Sequence, residues 1–504
     1  MIDSVSSSPN LIRTRPVHWW EILAIRNGIL NAAANAIASA TGALGSIVIV
    51  RTLTPETYGA FSYYLWLAGI LWTIGTLAFP LALTKIISEL RGRGQEQEAY
   101  ALAQWVALTL FAVNLLLGAV LVVVAMQASS PQRMYLLIIA AILGPNALFA
   151  VFRSSLLGDE RYAPASITTI IASLLQMALI FGAYLAGWSV EGFLAAVLSP
   201  KVIQGIGLLI VYRRMVVQAA VPMTFRLPDS ATLRSYLAFC VPATLTMPVS
   251  IFFDRSEVFF LDKFSGLDQV GFYNLAYTVF SMFLTLGGAL MAGFYPAISR
   301  DYGASDWERI QEKVHQAFLL ASVYAVPLTF GGWATLDGLL ALLYGTKMLP
   351  SVPVAQLLFV GLLPGVTASL LISTLSATGR IWLIATLVAV VSIINIVLDL
   401  LLIPQFGAFG GALAVTLSQT VYAALLLLAV LRMYRVKFPG LTLARILFVG
   451  ALTTFLLPAV TRIALSGIWG LGTSVVLASL VYATTMWRLG YFQSPTIRVA
   501  APHS

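Results

Sequence analysis

The sequence predicts an all-α polytopic membrane protein of about fourteen transmembrane helices, built as two six-helix lobes in parallel repeat with two extra helices at the C-terminal end. Three observations carry this. Fifty-nine per cent of the residues are apolar and ten per cent charged, a balance that a soluble globule cannot bury. The apolar residues come in long runs, not in the alternation of an outer-membrane barrel. The second half of the chain repeats glycine, proline and basic positions of the first.

Residues 1–22 read as a polar N-terminal tail. The tail has no apolar stretch followed by a small-residue cleavage site, so it is not expected to be a cleaved signal peptide. His18-Trp19-Trp20 suits the headgroup level of a bilayer. Apolar segments of spanning length follow near 27–50, 60–84, 100–127, 134–157, 163–187, 190–212, 236–261, 271–299, 312–336, 352–377, 381–404, 407–431, 442–464 and 467–487. This divides the chain into an N lobe at 23–225, a C lobe at 226–436, two further helices at 437–490 and a C-terminal tail at 491–504. The linker RRMVVQAAVPMTFRLPDSATLR marks the boundary between lobes. SRDYGASDWERIQEKVHQ, after the eighth span, suits a short amphipathic surface helix, and PQFGAFG a tight turn between the eleventh and twelfth. Kinks are expected at Pro242 and Pro248, at Pro327, and at Pro364 with Gly365, because proline removes a backbone hydrogen bond.

An even number of spans puts both termini on one side. With the termini in the cytoplasm, 23 of the 29 basic residues fall on the cytoplasmic side; the other six are Arg51, Arg133, Arg255, Lys263, Lys347 and Arg462. Basic residues near helix ends set orientation, so this split predicts an inner-membrane protein with cytoplasmic termini. The single cysteine, Cys240, excludes an intrachain disulfide. Three scattered histidines argue against a metal site.

The repeat has two blocks. Arg51-x7-Gly59-x-Phe61 lies over Lys263-x7-Gly271-x-Tyr273 at an offset of 212, with Glu56 over Asp268. FPLALTK then lies over YPAISR, placing Pro80 over Pro296 at an offset of 216. RSSLLGDERY lies over ISTLSATGRI and EGFLAAVLS over GGALAVTLS at an offset of 219, placing Arg161 over Arg380. Transporters with parallel repeats put the substrate between their halves and rock them for alternating access.

Ionisable groups inside spans cost about 2.5–3.5 kcal/mol on insertion scales and call for a reason. The seventh span holds Asp254, Arg255 and Glu257. Asp254 and Glu257, three apart, share a helix face, with Arg255 about a quarter-turn away. The eleventh span holds Asp399 with Asn395 one turn before it; Asp399 either snorkels to the surface or serves the lumen. Asp254, Glu257 and Asp399 are candidate groups for coupling to a proton or sodium gradient. Arg51 and Lys263 are related cations at one mouth, and Lys85 and Arg300 at the other. Such duplicated cations attract an anionic headgroup, with phosphate the obvious candidate. Lys201, inside the sixth span, joins them or snorkels.

RTLTPETYGAFSYY followed by FPLALTKIISELRGRG resembles the opening of the bacterial oligosaccharide flippases of Wzx type. Their superfamily also contains the lipid II flippase and the multidrug and toxin extruders. The resemblance covers most of the chain and implies a V-shaped pair of six-helix lobes around a central cavity. It implies translocation of a polyprenyl-diphosphate-linked oligosaccharide from the cytoplasmic to the periplasmic leaflet, for O-antigen, exopolysaccharide or capsule synthesis. By motif position, Arg51, Lys85 and Arg300 inherit the diphosphate-binding role; Asp254 and Arg255 resemble charged positions of the seventh helix. Lys263 joins the substrate set as the repeat partner of Arg51. Membrane lipids and a polysaccharide polymerase or export protein are the expected partners, and no nucleic acid. A multidrug or cation antiporter on the same scaffold is the alternative, although its cavity should favour carboxylates. An enzyme acting on lipid-linked sugars fits less well, since the outer loops are short and no catalytic acid pair or metal cluster is visible.

Overall fold

The computed structural model describes residues 19–218, 226–253, 255–434, 440–464, 477 and 480–488. In the first half, α1 (Trp19–Thr52) is followed by α2 (Pro55–Thr76) and α3 (Phe79–Gly92), bent by 43° where they meet. Next come α4 (Glu96–Gln127), α5 (Ser130–Gly158), α6 (Tyr162–Leu185), α7 (Val190–Leu198) and α8 (Pro200–Gln218). The second half runs through α9 (Ser230–Phe253), α10 (Ser256–Phe264), α11 (Leu267–Ala292), α12 (Tyr295–Gly303) and α13 (Trp307–Tyr344). It continues with α14 (Ser351–Val360), α15 (Leu362–Ala377), α16 (Ile381–Tyr434) and α17 (Gly440–Ala464). No strand occurs among the described residues.

Eight of these helices are long and apolar enough to cross a bilayer, or ten when each bent pair is one span. Four expected spans remain beyond those ten: the α9–α10 pair, the second half of α16, α17, and a last segment partly outside the described residues. α16 has 54 residues and would be about 81 Å long if straight, far beyond a hydrocarbon core of about 30 Å. It is broken at Gly407, whose φ of 56° favours glycine. Ala408 N–H donates to Gln269 Oε1 there, at 3.1 Å. The expected PQFGAFG turn is this break.

Local chemistry explains the paired starts of the repeat. Thr54 caps α2: its Oγ1 accepts the Thr57 N–H at 3.3 Å, and Thr57 Oγ1 accepts the Thr54 N–H at 2.9 Å. Pro55 takes the first turn, where a missing N–H costs nothing. Glu56 and Asp268 lie in the first turns of α2 and α11, at the positive end of each helix dipole. Pro80 and Pro296 occupy the first turns of α3 and α12, so each half carries a helix that breaks and restarts at an aromatic-proline pair.

Packing follows the repeat. α4 lies along α5 and α1 along α6 in the N lobe; α15 lies along α16, and α13 along α14, α15 and α17, in the second half. The lobes meet where α2 touches α11. A Cβ on Gly59 would stand 1.6 Å from Leu267 O and 3.1 Å from Gly271 N, and one on Gly271 would stand 3.2 Å from Gly59 N. Three residues on, Asn274 Nδ2 donates to Ser62 Oγ at 2.8 Å across the same 212-residue offset. Equivalent residues touching each other is what a twofold axis requires. A core containing Phe61, Phe193, Tyr273, Phe280 and Phe359 seals this end, which also carries Arg51.

The seventh span differs from expectation. α9 runs as helix through Pro242 and Pro248, and the break comes later, between α9 and α10. Its two parts make different attachments. Tyr236 and Cys240 of α9 join the N-lobe core with Leu83, Leu102 and Phe152, and Tyr236 Oη donates to Phe79 O at 2.9 Å. α10 packs on α16. α13 continues through Pro327, and the tenth span breaks by 41° at Gly361, just before Pro364. The surface amphipathic helix expected after the eighth span is absent as a separate element: α12 ends at Gly303 and α13 starts at Trp307. Lys313 of α13 pairs with Asp301 of α12, and Gln311 Nε2 donates to Tyr434 O at 2.8 Å. Leu115, Leu116, Val120 and Val123 are exposed along α4, as a lipid-facing surface requires.

Gly59→Val should force α2 and α11 apart, at a cost to this arrangement of about 1–3 kcal/mol. Cysteines at Ser62 and Asn274, in a chain carrying Cys240→Ala, should cross-link readily with Gly59 present and poorly with Gly59→Val. Equal yields would rule out the close backbone contact.

Candidate functional site

Below the α2–α11 contact lies a cavity of about 720 Å³ between the lobes. α2 contributes Ser62, Trp66, Trp72 and Thr73, and α11 contributes Asn274, Tyr277, Ser281 and Thr285. Arg255 is the one charged side chain among its described lining residues. Arg51, Lys85, Lys263 and Arg300 do not line it.

The backbone places Arg255. It joins α9 to α10 with φ 84° and ψ 39°, a left-handed conformation in a non-glycine residue. That geometry costs roughly 1–2 kcal/mol and is held by the surroundings. Arg255 Nη1 donates to Asn274 Oδ1 at 3.0 Å, and the guanidinium lies 4.5 Å from the Tyr277 ring centroid. Asn274 therefore serves three partners: its carbonyl oxygen takes Arg255, and its amide donates to Ser62 Oγ and, at 3.4 Å, to Tyr58 Oη of the other lobe. A guanidinium carries five N–H donors in a planar fork that suits phosphate oxygens. Asp254 lies outside the described residues.

Two residues after Arg255, the chain enters a buried polar cluster between α10 and α16. Glu257 is 1 % exposed and Asp399 0 %. Asn395 Nδ2 donates to Glu257 Oε1 at 3.0 Å and to Asp399 Oδ2 at 3.2 Å, and Ser256 Oγ donates to Asp399 Oδ2 at 2.7 Å. Glu257 Oε2, Asp399 Oδ1 and the Tyr273 hydroxyl have no hydrogen-bond partner among the described residues. Asp399 thus faces protein, so the snorkelling reading is overturned. Each uncompensated buried charge costs several kcal/mol. Among the described residues, the Asn395 amide and the Ser256 hydroxyl are the side-chain donors to this pair of carboxyls.

The other expected cations take positions at the two ends. Arg51, in the last turn of α1, donates through Nε to Leu343 O at 2.8 Å and through Nη2 to Leu342 O at 2.5 Å. Those carbonyls end α13. Lys347 answers by donating to Arg51 O at 2.8 Å and to Leu53 O. Burial pulls the Lys347 ammonium below the ordinary lysine value. Each cation sits at the negative end of the other segment's helix, so the pair clamps α1 to α13 across the lobes. Lys263 is exposed in the last turn of α10. Lys85 is exposed on α3, 3.6 Å from Glu89 and 4.6 Å over the Phe239 ring of α9. Arg300 is exposed in the last turn of α12. Of the substrate cations expected from the sequence, Arg255 alone reaches the central cavity.

Sequence reasoning missed Ser62, Asn274, Tyr277 and Ser256. A signal for the first two existed: both are polar, both lie in apolar runs, and they stand 212 positions apart.

Comparison with known proteins agrees with this architecture. The structure is similar over 91 % of its length to the lipid II flippase MurJ in an inward closed conformation, covering 99 % of that chain with a TM-score of 0.72 at 15 % identity. It is similar to an inward-facing multidrug resistance MATE family transporter of the MOP superfamily: TM-score 0.62, 14 % identity, 79 % of this chain and 94 % of that one. In sequence, residues matching 55 % of the chain are 25 % identical to the probable flippase AglR of Haloferax volcanii. That match spans 56 % of the relative's length. A MatE family model matches residues 242–401. The polysaccharide biosynthesis protein family model matches residues 24–302, more than half of the chain. The chain belongs to this polysaccharide biosynthesis protein family, on the all-helical fold shared by the lipid II flippase and the MATE transporters.

Proposed function

We propose that this chain is a flippase that moves a polyprenyl-diphosphate-linked oligosaccharide from the cytoplasmic to the periplasmic leaflet of the inner membrane, for surface polysaccharide synthesis. The observation that carries the reading is Arg255 as the charged group of an inter-lobe cavity with hydroxyl, amide and indole walls. A diphosphate is met by a guanidinium fork. Sugar hydroxyls match Ser62, Thr73, Asn274, Ser281 and Thr285, and sugar faces match Trp66 and Trp72. The prenyl tail stays in the bilayer. Family membership and similarity to flippases support the same class. The termini face the cytoplasm in this reading, so the sealed Arg51 end faces the periplasm and the substrate enters from the Lys85 end. Lys85 and Arg300 would draw the headgroup in, and Arg51 and Lys263 would meet it on the far side.

The two carboxylates fit coupling to a proton or sodium ion. They lie between α10 and α16 and do not line the central cavity, which favours a small coupling ion over the organic cation of a multidrug antiporter. An anion on Arg255 competes with Asn274 Oδ1, and Asn274 also holds Ser62. Substrate binding therefore loosens the contact that seals the Arg51 end.

Proteoliposomes holding the full chain and a fluorescent polyprenyl-diphosphate oligosaccharide provide the test. Translocation should drop by about tenfold or more in Arg255→Ala, since a charge-assisted phosphate contact is worth roughly 1.5–3 kcal/mol. Arg255→Lys should keep part of it. If the parent protein moves organic cations but not the lipid-linked sugar, the flippase reading is wrong. A second measurement addresses coupling. Glu257→Gln and Asp399→Asn should each abolish the response to an imposed sodium or proton gradient. Asn395→Ala, which removes a donor from both carboxyls, should lower stability by about 1–3 kcal/mol. Gradient dependence that survives both carboxyl substitutions would separate the cluster from coupling.

A further inference from the structure

A groove of about 380 Å³ opens on the outer surface of the N lobe, between α4 and α8, with α5 as its floor. Both flanking helices pack on α5. The described lining changes character along the groove. Leu108 and Phe111 of α4, Leu148 of α5 and Leu209 of α8 make apolar walls, while Gln104 of α4 and Arg213 of α8 stand at one end. Gln104 precedes Leu108 by one turn and Phe111 by two, about 10 Å along the helix, and Arg213 follows Leu209 by one turn. The two helices run in opposite directions: Tyr100 of α4 meets Tyr212 of α8 with ring centroids 5.8 Å apart, so Gln104 and Arg213 share an end. Both side chains are accessible, Arg213 exposed and Gln104 half-buried. Among the described residues neither makes a hydrogen bond or an ion pair, and no carboxylate lines the groove. Leu108 is 55 % exposed.

The groove shares no described lining residue with the central cavity or with the smaller inner cavity of the N lobe that Lys201 lines. It faces the bilayer, so lipid fills it. Lipid tails are as apolar as leucine, and a chain gains little by leaving its neighbours for an apolar wall. Selectivity must come from the charge at the groove's end. Basic pockets between helices at the cytoplasmic side hold anionic headgroups, and with the termini in the cytoplasm this end meets that leaflet. A zwitterionic headgroup brings an ammonium that finds no carboxylate among the described lining residues. Phosphatidylglycerol brings a phosphate for the guanidinium and hydroxyls for the Gln104 amide. Free phosphate leaves the apolar walls unmatched.

We propose that the α4–α8 groove binds one anionic phospholipid of the adjoining leaflet, with an acyl chain along Leu108, Phe111, Leu148 and Leu209 and the phosphate on Arg213. The site lies beside the connection between lobes. α8 ends at Gln218, five residues after Arg213. At the far end of that connection, Arg226 lies 3.6 Å from Glu98 of α4, and the Asp229 N–H donates to Glu98 Oε2 at 3.0 Å. A lipid in the groove therefore bridges the two helices that hold the ends of the connection. Binding of this lipid does not depend on the flippase reading.

The test is native mass spectrometry of the full chain, released from detergent micelles and titrated separately with phosphatidylglycerol and with phosphatidylethanolamine of matched chains. At the tightest site phosphatidylglycerol should bind about fivefold more strongly, the size expected of one arginine against an anionic headgroup. Arg213→Ala should remove that preference, and Arg213→Lys should keep most of it. Arg214→Ala deletes an equal charge next to the groove, and Arg255→Ala the cation of the central cavity; both should leave the preference intact. Leu108→Trp, which enlarges an exposed wall residue, should weaken both lipids. Inorganic phosphate should not displace the bound lipid. Equal affinity for the two lipids would overturn the proposal, as would displacement by phosphate or no effect of Leu108→Trp. Equal losses in Arg213→Ala and Arg214→Ala would reduce Arg213 to a topological anchor, and a loss in Arg255→Ala would move the lipid to the central cavity; either result also defeats the assignment.

Discussion

The contact of α2 with α11 governs the rest of this structure. Gly59 and Gly271 let two backbones touch, and Ser62 with Asn274 adds one hydrogen bond between equivalent positions. Arg51 and Lys347 reinforce the same end, each donating to carbonyls of the opposite lobe. The cavity exists because the lobes converge there and stand apart below. A seal made of backbone contact and few hydrogen bonds, each worth about 0.5–1.5 kcal/mol net, can open without dismantling either lobe. Asn274 ties the seal to the cavity, since the amide that holds Ser62 belongs to the side chain that accepts from Arg255.

The broken seventh span is the second constraint. A continuous helix would turn Arg255 and Glu257 onto faces about 200° apart. The left-handed residue at Arg255 instead ends α9 and starts α10, so that a cavity-facing cation and a buried carboxylate sit two residues apart on one short element. α9 is anchored in the N-lobe core through Tyr236, and α10 lies on α16 beside Asp399. This break joins the part of the span held in the N-lobe core to the part packed on α16. Arg255 and the acid cluster are therefore joined through one short helix, α10.

Much of the scaffold was legible in the sequence because a bilayer imposes simple demands. Apolar runs of spanning length located the helices, and the offset of 212 paired Gly59 with Gly271 before any contact was known. The aromatic-proline pairs at Phe79-Pro80 and Tyr295-Pro296 marked real helix restarts. The site was less legible, because it depends on direction and not on spacing. Arg51 and Arg255 look alike in sequence; one meets helix-end carbonyls and the other a cavity. Proline did not mark the break of the seventh span: α9 continues as helix through Pro242 and Pro248, and the break falls on a residue with no intrinsic preference for it. Asp399 lay close enough to a helix end to suggest snorkelling, and only tertiary packing of α10 against α16 buries it.

The repeat duplicates the frame but not the chemistry. At the two offsets of the sequence repeat, 212 and 219, Glu257 corresponds to Gly45 and Asp399 to Ile180. Those residues also meet in the N lobe: a Cβ on Gly45 would stand 2.8 Å from Ile180 Cδ1. The same helix contact is therefore acidic in one lobe and wholly apolar in the other. Lys201 reverses the pattern, facing a cavity in the N lobe where the C lobe has Thr420. Arg255 falls opposite Ala43, so the central cation is single as well. The glycine contact at the axis is thus shared by both halves, while these charges each occur in one half.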